Sequence, residues 1–137
     1  MKVLPQNVSE EIENFVAQEK VWLKQLKGCE NQLESFQDEL DTFSAIATSY
    51  DTKKIGHFQN IFSYYQSEII RRLKHNVRLN IQNLRGLVAH NPQQYYFNYL
   101  NDLKHHQEKL ENFFNRFNAI QEEFSGHLRQ SGLRATA

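Results

Sequence analysis

The sequence predicts an all-α protein, and two observations support this. Glycine and proline are scarce, at five and two among 137 residues, whereas leucine, glutamate, lysine, glutamine and asparagine are plentiful, which favours long helices. The apolar residues also recur at alternating intervals of three and four, whereas a half-buried strand alternates every two residues. We therefore expect an elongated up-down-up antiparallel bundle of three long helices, about 9–47, 53–85 and 92–130.

The first helix is predicted from a seam of the coiled-coil type that one charged residue, Glu19, interrupts. Asn7 or Ser9 suits its N-cap, and the acidic residues that follow suit the positive end of the helix dipole. The seam runs through Ile12, Phe15, Glu19, Trp22, Leu26, Cys29, Leu33, Phe36, Leu40, Phe43 and Ala47.

The second helix is predicted to begin after an N-cap at Asp51 or Thr52. Its end is predicted at Arg85, because a left-handed Gly86 followed by Leu87 is typical of a Schellman-type stop. Its apolar side comprises Phe58, Phe62, Tyr65, Ile69, Leu73, Val77 and Leu84.

The third helix has the clearest start signal, with Asn91 as cap, Pro92 at the first helical position and Gln94 completing a capping box. Gly132 offers a stop at its end. The third seam consists of Tyr96, Tyr99, Leu103, His106, Leu110, Phe113, Phe117, Ile120, Phe124 and His127. A chain of this length fits a single helical-bundle domain over residues 1–137.

The amino-acid composition limits the partners and the cellular compartment that we expect for the protein. Sixteen basic residues balance sixteen acidic ones, so no global field attracts nucleic acid or anionic lipid. The single Cys29 excludes an internal disulfide framework and suits a reducing compartment. No secretion signal is recognisable, and no apolar stretch approaches the length of a membrane span. We therefore expect a cytoplasmic protein.

Charge is distributed unevenly between the first two helices. Residues 9–47 carry nine acids against three bases, and residues 53–85 carry seven bases against one acid. We interpret this as neutralisation between neighbouring helices, which argues against nucleic-acid binding. The alternative is a nucleic-acid surface formed by Arg71, Arg72, Lys74, Arg78 and Arg85.

His57 and His75 raise the question of a metal or catalytic pair. They are eighteen residues apart, which is five helical turns and about 27 Å along the axis. Two side chains at that separation share neither an ion nor a proton, so we interpret both as boundary residues of the helix.

His106 occupies a seam position and should lie near the level of Glu19, with His75 not far away. One interpretation is a polar layer that fixes helix register. The other is a metal or proton-transfer site formed by Glu19, His75 and His106. The sequence contains no Glu-x-x-His or His-Glu-x-x-His pattern, which favours the polar layer. We expect no cofactor.

Trp22 followed by a Leu/Phe heptad, then HFQN at 57–60 and LKH at 73–75, resembles a group of small uncharacterised helical proteins from bacteria. The resemblance covers about residues 20–80. It implies an intracellular all-helical protein with no assigned activity, and it supplies no catalytic residue.

These observations predict a non-enzymatic interaction or regulatory module that binds a protein partner, with a homodimer as one form of that association. A metal- or small-ligand-binding bundle and a nucleic-acid-associated protein are the alternatives. The predicted interaction surface is on the second helix and comprises His57, Tyr64, Glu68, Arg71, His75 and Arg78.

Overall fold

A computed structural model describes residues 8–46, 49–89 and 92–130. All of these residues are helical except Ala45 and Ile46, and the described portion contains no strand. The elements are helix α1 (Val8–Ser44), helix α2 (Ser49–Tyr64), a π-helical segment (Tyr65–Ile70), helix α3 (Arg71–Ala89) and helix α4 (Pro92–Gln130). The predicted all-α bundle of three helical rods is confirmed, the second rod being α2, the π segment and α3.

The chain divides into two compact units, and each is built from three helical segments. Unit 1 comprises residues 1–28 and 71–110, and unit 2 comprises residues 29–70 and 111–137. The prediction of one domain over 1–137 stays a prediction. None of the described helices is both long and apolar enough to cross a membrane.

Ring contacts give the helix directions within each unit. In unit 1, Phe15 stacks on Tyr96 at 6.3 Å and Trp22 meets His106 at 5.5 Å, so α1 and α4 run in the same direction. In unit 2, the ring of Phe58 lies 5.8 Å from that of His127, whereas Tyr65 lies 5.9 Å from Phe113. The second rod therefore runs antiparallel to α4 there.

Helix α1 ends at Ser44, three residues before the predicted end near residue 47. The Ser44 hydroxyl donates to the carbonyl of Asp41 at 2.8 Å, and the Ile46 N–H donates to the carbonyl of Phe43 at 3.1 Å. These bonds satisfy carbonyls that the end of a helix leaves without partners. Ser9 lies inside the helix and is not its cap, and the alternative cap Asn7 is outside the described residues.

The second rod is longer at both ends than predicted. It begins at Ser49, which places the expected caps Asp51 and Thr52 inside the helix, and it continues to Ala89. Gly86 is helical and does not adopt a left-handed conformation, so the predicted stop at Arg85 is wrong. A single glycine costs a helix only about 1 kcal/mol relative to alanine, which the packing of the preceding turn can offset.

The π segment explains an error in the predicted core. The buried residues Phe62 and Ile70 are eight positions apart, and a regular α-helix would rotate the second about 80° away from the first. One π turn absorbs the extra residue and returns Ile70 to the buried side. The predicted core residues Tyr65 and Ile69 are consequently only half-buried.

Helix α4 begins at Pro92 and ends at Gln130, as the sequence predicts. Asn91 and the proposed stop at Gly132 are outside the described residues, and nothing is described of the Gln94 side chain. Along α4, Leu103, Ile120 and His127 are half-buried, whereas Leu128, which was not predicted, is fully buried.

Each unit has its own aromatic centre. In unit 2 four phenylalanine rings contact one another, with Phe124 at 5.1 Å from both Phe58 and Phe62 and at 5.2 Å from Phe36. In unit 1 four aromatic rings lie around the two polar seam residues, Glu19 and His106. These are the rings of Phe15, Trp22, Tyr96 and Tyr99.

Candidate functional site

The interior of unit 1 contains a buried acid–base pair. Glu19 is 0% exposed and His106 is 7% exposed, and the two side chains lie on α1 and α4. The His106 Nε2 atom lies 2.9 Å from the Glu19 Oε2 atom, within hydrogen-bond distance. The seam pattern predicted this meeting, because both residues replace an apolar side chain at a position that faces the other helices.

Tyr99 satisfies the other carboxylate oxygen. Its hydroxyl lies 3.5 Å from Glu19 Oε1, a long hydrogen bond in which the phenol donates. Tyr99 is seven residues before His106, so the two side chains lie two turns apart on the same side of α4. Burial, followed by the charge of Glu19 and this hydrogen bond, raises the pKa of the Tyr99 phenol. The hydroxyl therefore remains protonated as a donor.

Aromatic rings enclose the pair. The Trp22 ring lies one turn from Glu19 and meets the His106 ring edge-on at 5.5 Å and 76°. Phe15 lies 5.8 Å from the Tyr99 ring. Apolar walls lower the local dielectric, which strengthens a satisfied polar network and makes an unsatisfied one costly. The three polar side chains thus form a connected network between α1 and α4.

The structure does not bring His75 to this pair. His75 is exposed on α3, whereas Glu19 and His106 are buried. It is two residues from both Leu73 and Val77, which are buried, so it points to the opposite side of the helix. Among the described residues no group of three or more His, Cys, Asp or Glu side chains could hold a metal ion. The described residues therefore do not form the three-residue cluster that the alternative interpretation, a site of Glu19, His75 and His106, requires.

Access also limits what the pair can do chemically. An acid or base must come within hydrogen-bond reach of the reacting proton. Glu19 has no exposed surface, so only His106 adjoins a solvent-accessible space. That space is a depression of about 250 Å³ in unit 1, lined by Asn76, Leu79, Asn80, Asp102, His105, His106 and Lys109.

A larger groove of about 440 Å³ lies between α1 and α3 in unit 1. Its lining combines cations, apolar side chains and one amide, and it includes no acid: Lys20, Leu23, Arg78, Ile81, Gln82 and Arg85. Lys20, Arg78 and Arg85 are exposed, so their charges face solvent. We call this feature the basic groove. At this position α1 places a base beside the arginines of α3, which is not the arrangement expected from neutralisation between helices.

All six side chains of the predicted interaction surface are exposed. Three of them, His57, Tyr64 and Glu68, belong to unit 2. The other three belong to unit 1 and lie on α3: Arg71, His75 and Arg78. Arg78 also lines the basic groove, so the predicted surface and the groove share this residue.

Two further predicted positions have structural roles. The ring of His127 is half-buried in unit 2 beside Phe58, and its buried Nε2 atom has no hydrogen-bond partner. Cys29 is buried, and burial raises the pKa of its thiol to about 11. A thiol with that pKa is almost entirely protonated near neutrality and is a poor nucleophile.

Two site residues were not predicted. Tyr99 was assigned to the core only, although its spacing of seven from His106 could have indicated a partner for the same carboxylate. Lys20 was not assigned to any site, and only its placement on the groove beside Arg78 and Arg85 reveals it. No short sequence pattern links residues on two helices in this way.

The fold and the site define a helical-bundle protein with a buried glutamate–histidine–tyrosine network and a basic surface groove. Comparison of the chain with protein-family models, curated proteins and solved structures finds no significant match.

Proposed function

We propose that this protein is a non-enzymatic interaction module that binds an acidic protein surface through the basic groove. The observation that carries the proposal is the lining of the groove, where Lys20, Arg78 and Arg85 surround Leu23 and Ile81 without an acidic neighbour in the lining. Exposed cations around apolar side chains are typical of a site that steers an acidic partner and then buries apolar surface.

The buried network supports this proposal rather than catalysis. Its carboxylate is sealed from solvent and already has two partners, Tyr99 and His106. A general base needs an accessible lone pair near the substrate. We assign the network the structural role of a polar layer that fixes the register of α1 against α4.

The location that suits this function is the cytoplasm. Cys29 is a free, buried thiol, and a reducing compartment keeps such a residue unmodified.

The proposal is tested by titrating a fluorescent polyglutamate peptide with the protein and following its anisotropy. We expect binding that weakens as salt increases, because the Debye length falls from about 10 Å at 0.1 M salt to about 3 Å at 1 M. Arg78→Glu/Arg85→Glu should abolish binding. The matched control Lys104→Glu/Lys109→Glu makes the same change in charge at exposed positions of α4 and should bind as the unmodified protein does.

Equal binding by both double variants would show that net charge alone attracts the peptide and would contradict a role for the groove. The absence of any binding at low salt would contradict the proposal as a whole.

A nucleic acid is the second candidate, favoured by the exposure of Arg71, Arg72, Arg78 and Arg85 on α3. A short DNA duplex in the same titration distinguishes it. Its affinity should fall linearly on a double-logarithmic plot against salt, with a slope that reports the number of phosphates contacted. A duplex that binds more tightly than the peptide and shows such a slope would favour this candidate.

A further inference from the structure

Charge is segregated between the two units, although the chain as a whole is neutral. Unit 1 contains eleven lysine and arginine residues against six acids, a net charge of +5. Unit 2 contains five against ten, a net charge of −5. The two units therefore have opposite net charges, although the net charge of the whole sequence is zero.

The segregation is sharpest on two helical segments. Residues 71–89 of α3 contain five bases and no acid, and residues 29–46 contain five acids and no base. On α3, Arg71, Arg78 and Arg85 recur every seven residues and are all exposed. On α1, a second exposed stripe repeats at intervals of four and three and consists of Glu34, Asp38 and Asp41, which we call the acidic stripe.

The two sets match in spacing. Glu34 and Asp41 are seven residues apart, as are Arg78 and Arg85, and each pair spans about 10 Å of helix. Two helices side by side can therefore bring both acids opposite both arginines. The acidic segment also ends at Ile46, whose side chain is 70% exposed, and the half-buried Leu23 gives the basic groove apolar surface, whereas Ile81 in its lining is only 8% exposed.

Lys20 and Glu34 lie on one continuous helix, α1, with fourteen residues or about 21 Å of helix between them. The charges and the spacing of the acidic stripe suit the groove of a second copy of the chain.

We propose that the basic groove binds the acidic stripe of a second copy of this chain. The inference rests on the proposed function, since it names the acidic partner of the same groove. Each copy has one groove and one stripe, so a pair of copies can make the contact twice and close as a two-fold dimer. Exposed ion pairs contribute little individually, so the association is weak and sensitive to salt.

Two charge-reversal variants test the proposal, and mixing the two variants should restore the association that each has lost. In Arg78→Glu/Arg85→Glu the groove becomes acidic while the stripe stays acidic. In Glu34→Lys/Asp41→Lys the stripe becomes basic while the groove stays basic. Each variant alone opposes like charges at both contacts, whereas a mixture of the two restores opposite charges at both.

Sedimentation velocity at about 50 mM and about 500 mM salt measures the outcome. We expect the unmodified protein to dimerise at low salt and to dissociate at high salt. Each double variant should be monomeric, and their equimolar mixture should form a heterodimer. Lys104→Glu/Lys109→Glu serves as the charge-matched control and should dimerise normally, and circular dichroism melts establish that every variant is folded.

A monomeric unmodified protein at low salt, or a mixture of the two variants that does not associate, overturns the inference. The polyglutamate titration separates this failure from failure of the proposed function. If the peptide binds the unmodified protein and not Arg78→Glu/Arg85→Glu while the protein is monomeric, the groove binds a different acidic partner. If neither the peptide nor a second copy binds, both proposals fail.

Discussion

The His106 Nε2 atom lies 2.9 Å from Glu19 Oε2, joining residues that are 87 positions apart in the sequence. The pair replaces apolar contacts at a seam that is otherwise composed largely of apolar side chains. Taking two ionisable groups out of water is costly, and their interaction often only balances that cost. The pair therefore should matter more for which register the helices adopt than for how stable they are.

Substitution of His106 and substitution of Glu19 should lower the free energy of unfolding by different amounts. His106→Leu leaves the fully buried Glu19 carboxylate without its principal partner and should lower the free energy of unfolding by about 3–5 kcal/mol. Glu19→Leu removes the buried carboxylate and leaves the His106 ring beside a solvent-accessible depression, so it should cost less, about 1–3 kcal/mol.

The double variant Glu19→Leu/His106→Leu should unfold within about 1 kcal/mol of the unmodified protein, since it replaces both polar groups by apolar ones of similar size. Urea unfolding of the four proteins measures the coupling. Additive losses in the double variant would mean that the two side chains contribute independently, contrary to the network described.

Tyr99→Phe should have a small effect, because the bond from its hydroxyl to Glu19 is long, at 3.5 Å. We expect a loss of about 0.5–1 kcal/mol in the free energy of unfolding. Tyr96→Phe is the matched control, since it removes the hydroxyl of the buried tyrosine one turn earlier on α4. Urea unfolding compares them, and an equal effect of the two substitutions would indicate that the Tyr99 hydroxyl contributes nothing through Glu19.

Phe124 is the centre of the aromatic cluster in unit 2, within 5.2 Å of the rings of Phe36, Phe58 and Phe62. Phe124→Ala should lower the free energy of unfolding by about 3–5 kcal/mol, because it opens a cavity among three rigid rings. Phe114→Ala, at a half-buried position of the same helix, should cost clearly less. Thermal and urea unfolding measure both, and comparable losses would contradict the central role of Phe124.

Two features of the structure could be predicted from the sequence, the start of α4 and the contact between Glu19 and His106. The start of α4 at Pro92 follows from local chemistry, because proline restricts its own backbone and lacks the N–H that a first helical residue leaves unpaired. The meeting of Glu19 and His106 was predictable for a similar reason, since two polar residues on facing seams need each other. Such features depend on neighbours in the sequence or on a regular period.

The features that were missed depend on packing instead. A π turn differs from an α turn by one residue, and the sequence pattern alone was compatible with Ile69 or Ile70 as the buried residue. Helix α3 likewise continues past Gly86 to Ala89, because packing outweighs the local stop signal that the glycine provides. The basic groove joins Lys20 to Arg78 and Arg85 across two helices, which no periodicity within one helix specifies.

The buried thiol of Cys29 should make the folded protein less stable at alkaline pH. Burial raises the pKa of this thiol from 9.0 to about 11, so the unfolded chain loses this proton at a lower pH than the folded protein does. The stabilising contribution is complete below pH 9 and is lost as the pH rises, with a loss of about 2 kcal/mol when the pH reaches about 11. Urea unfolding of the unmodified protein and of Cys29→Ala between pH 8 and about 11 isolates the effect. A constant difference between the two proteins over this range would contradict it.

The π segment predicts that one residue can be removed from the second rod without loss of the fold. Deletion of Ser67, which is exposed within the segment, should convert the π turn to a regular α turn. Phe62 and Ile70 would then be seven residues apart, which an α-helix brings within about 20° of the same side. We expect cooperative unfolding and a helix content by circular dichroism close to that of the unmodified protein.

Deletion of His75 is the matched control, since it removes another exposed residue but from a regular part of α3. It rotates Val77, Ile81 and Leu84 by about 100° relative to Leu73, with no π turn between them to absorb the change. The control should therefore lose most of its stability in urea unfolding. If deleting Ser67 is as damaging as deleting His75, the extra residue is required in its own right and is not merely accommodated by the helix.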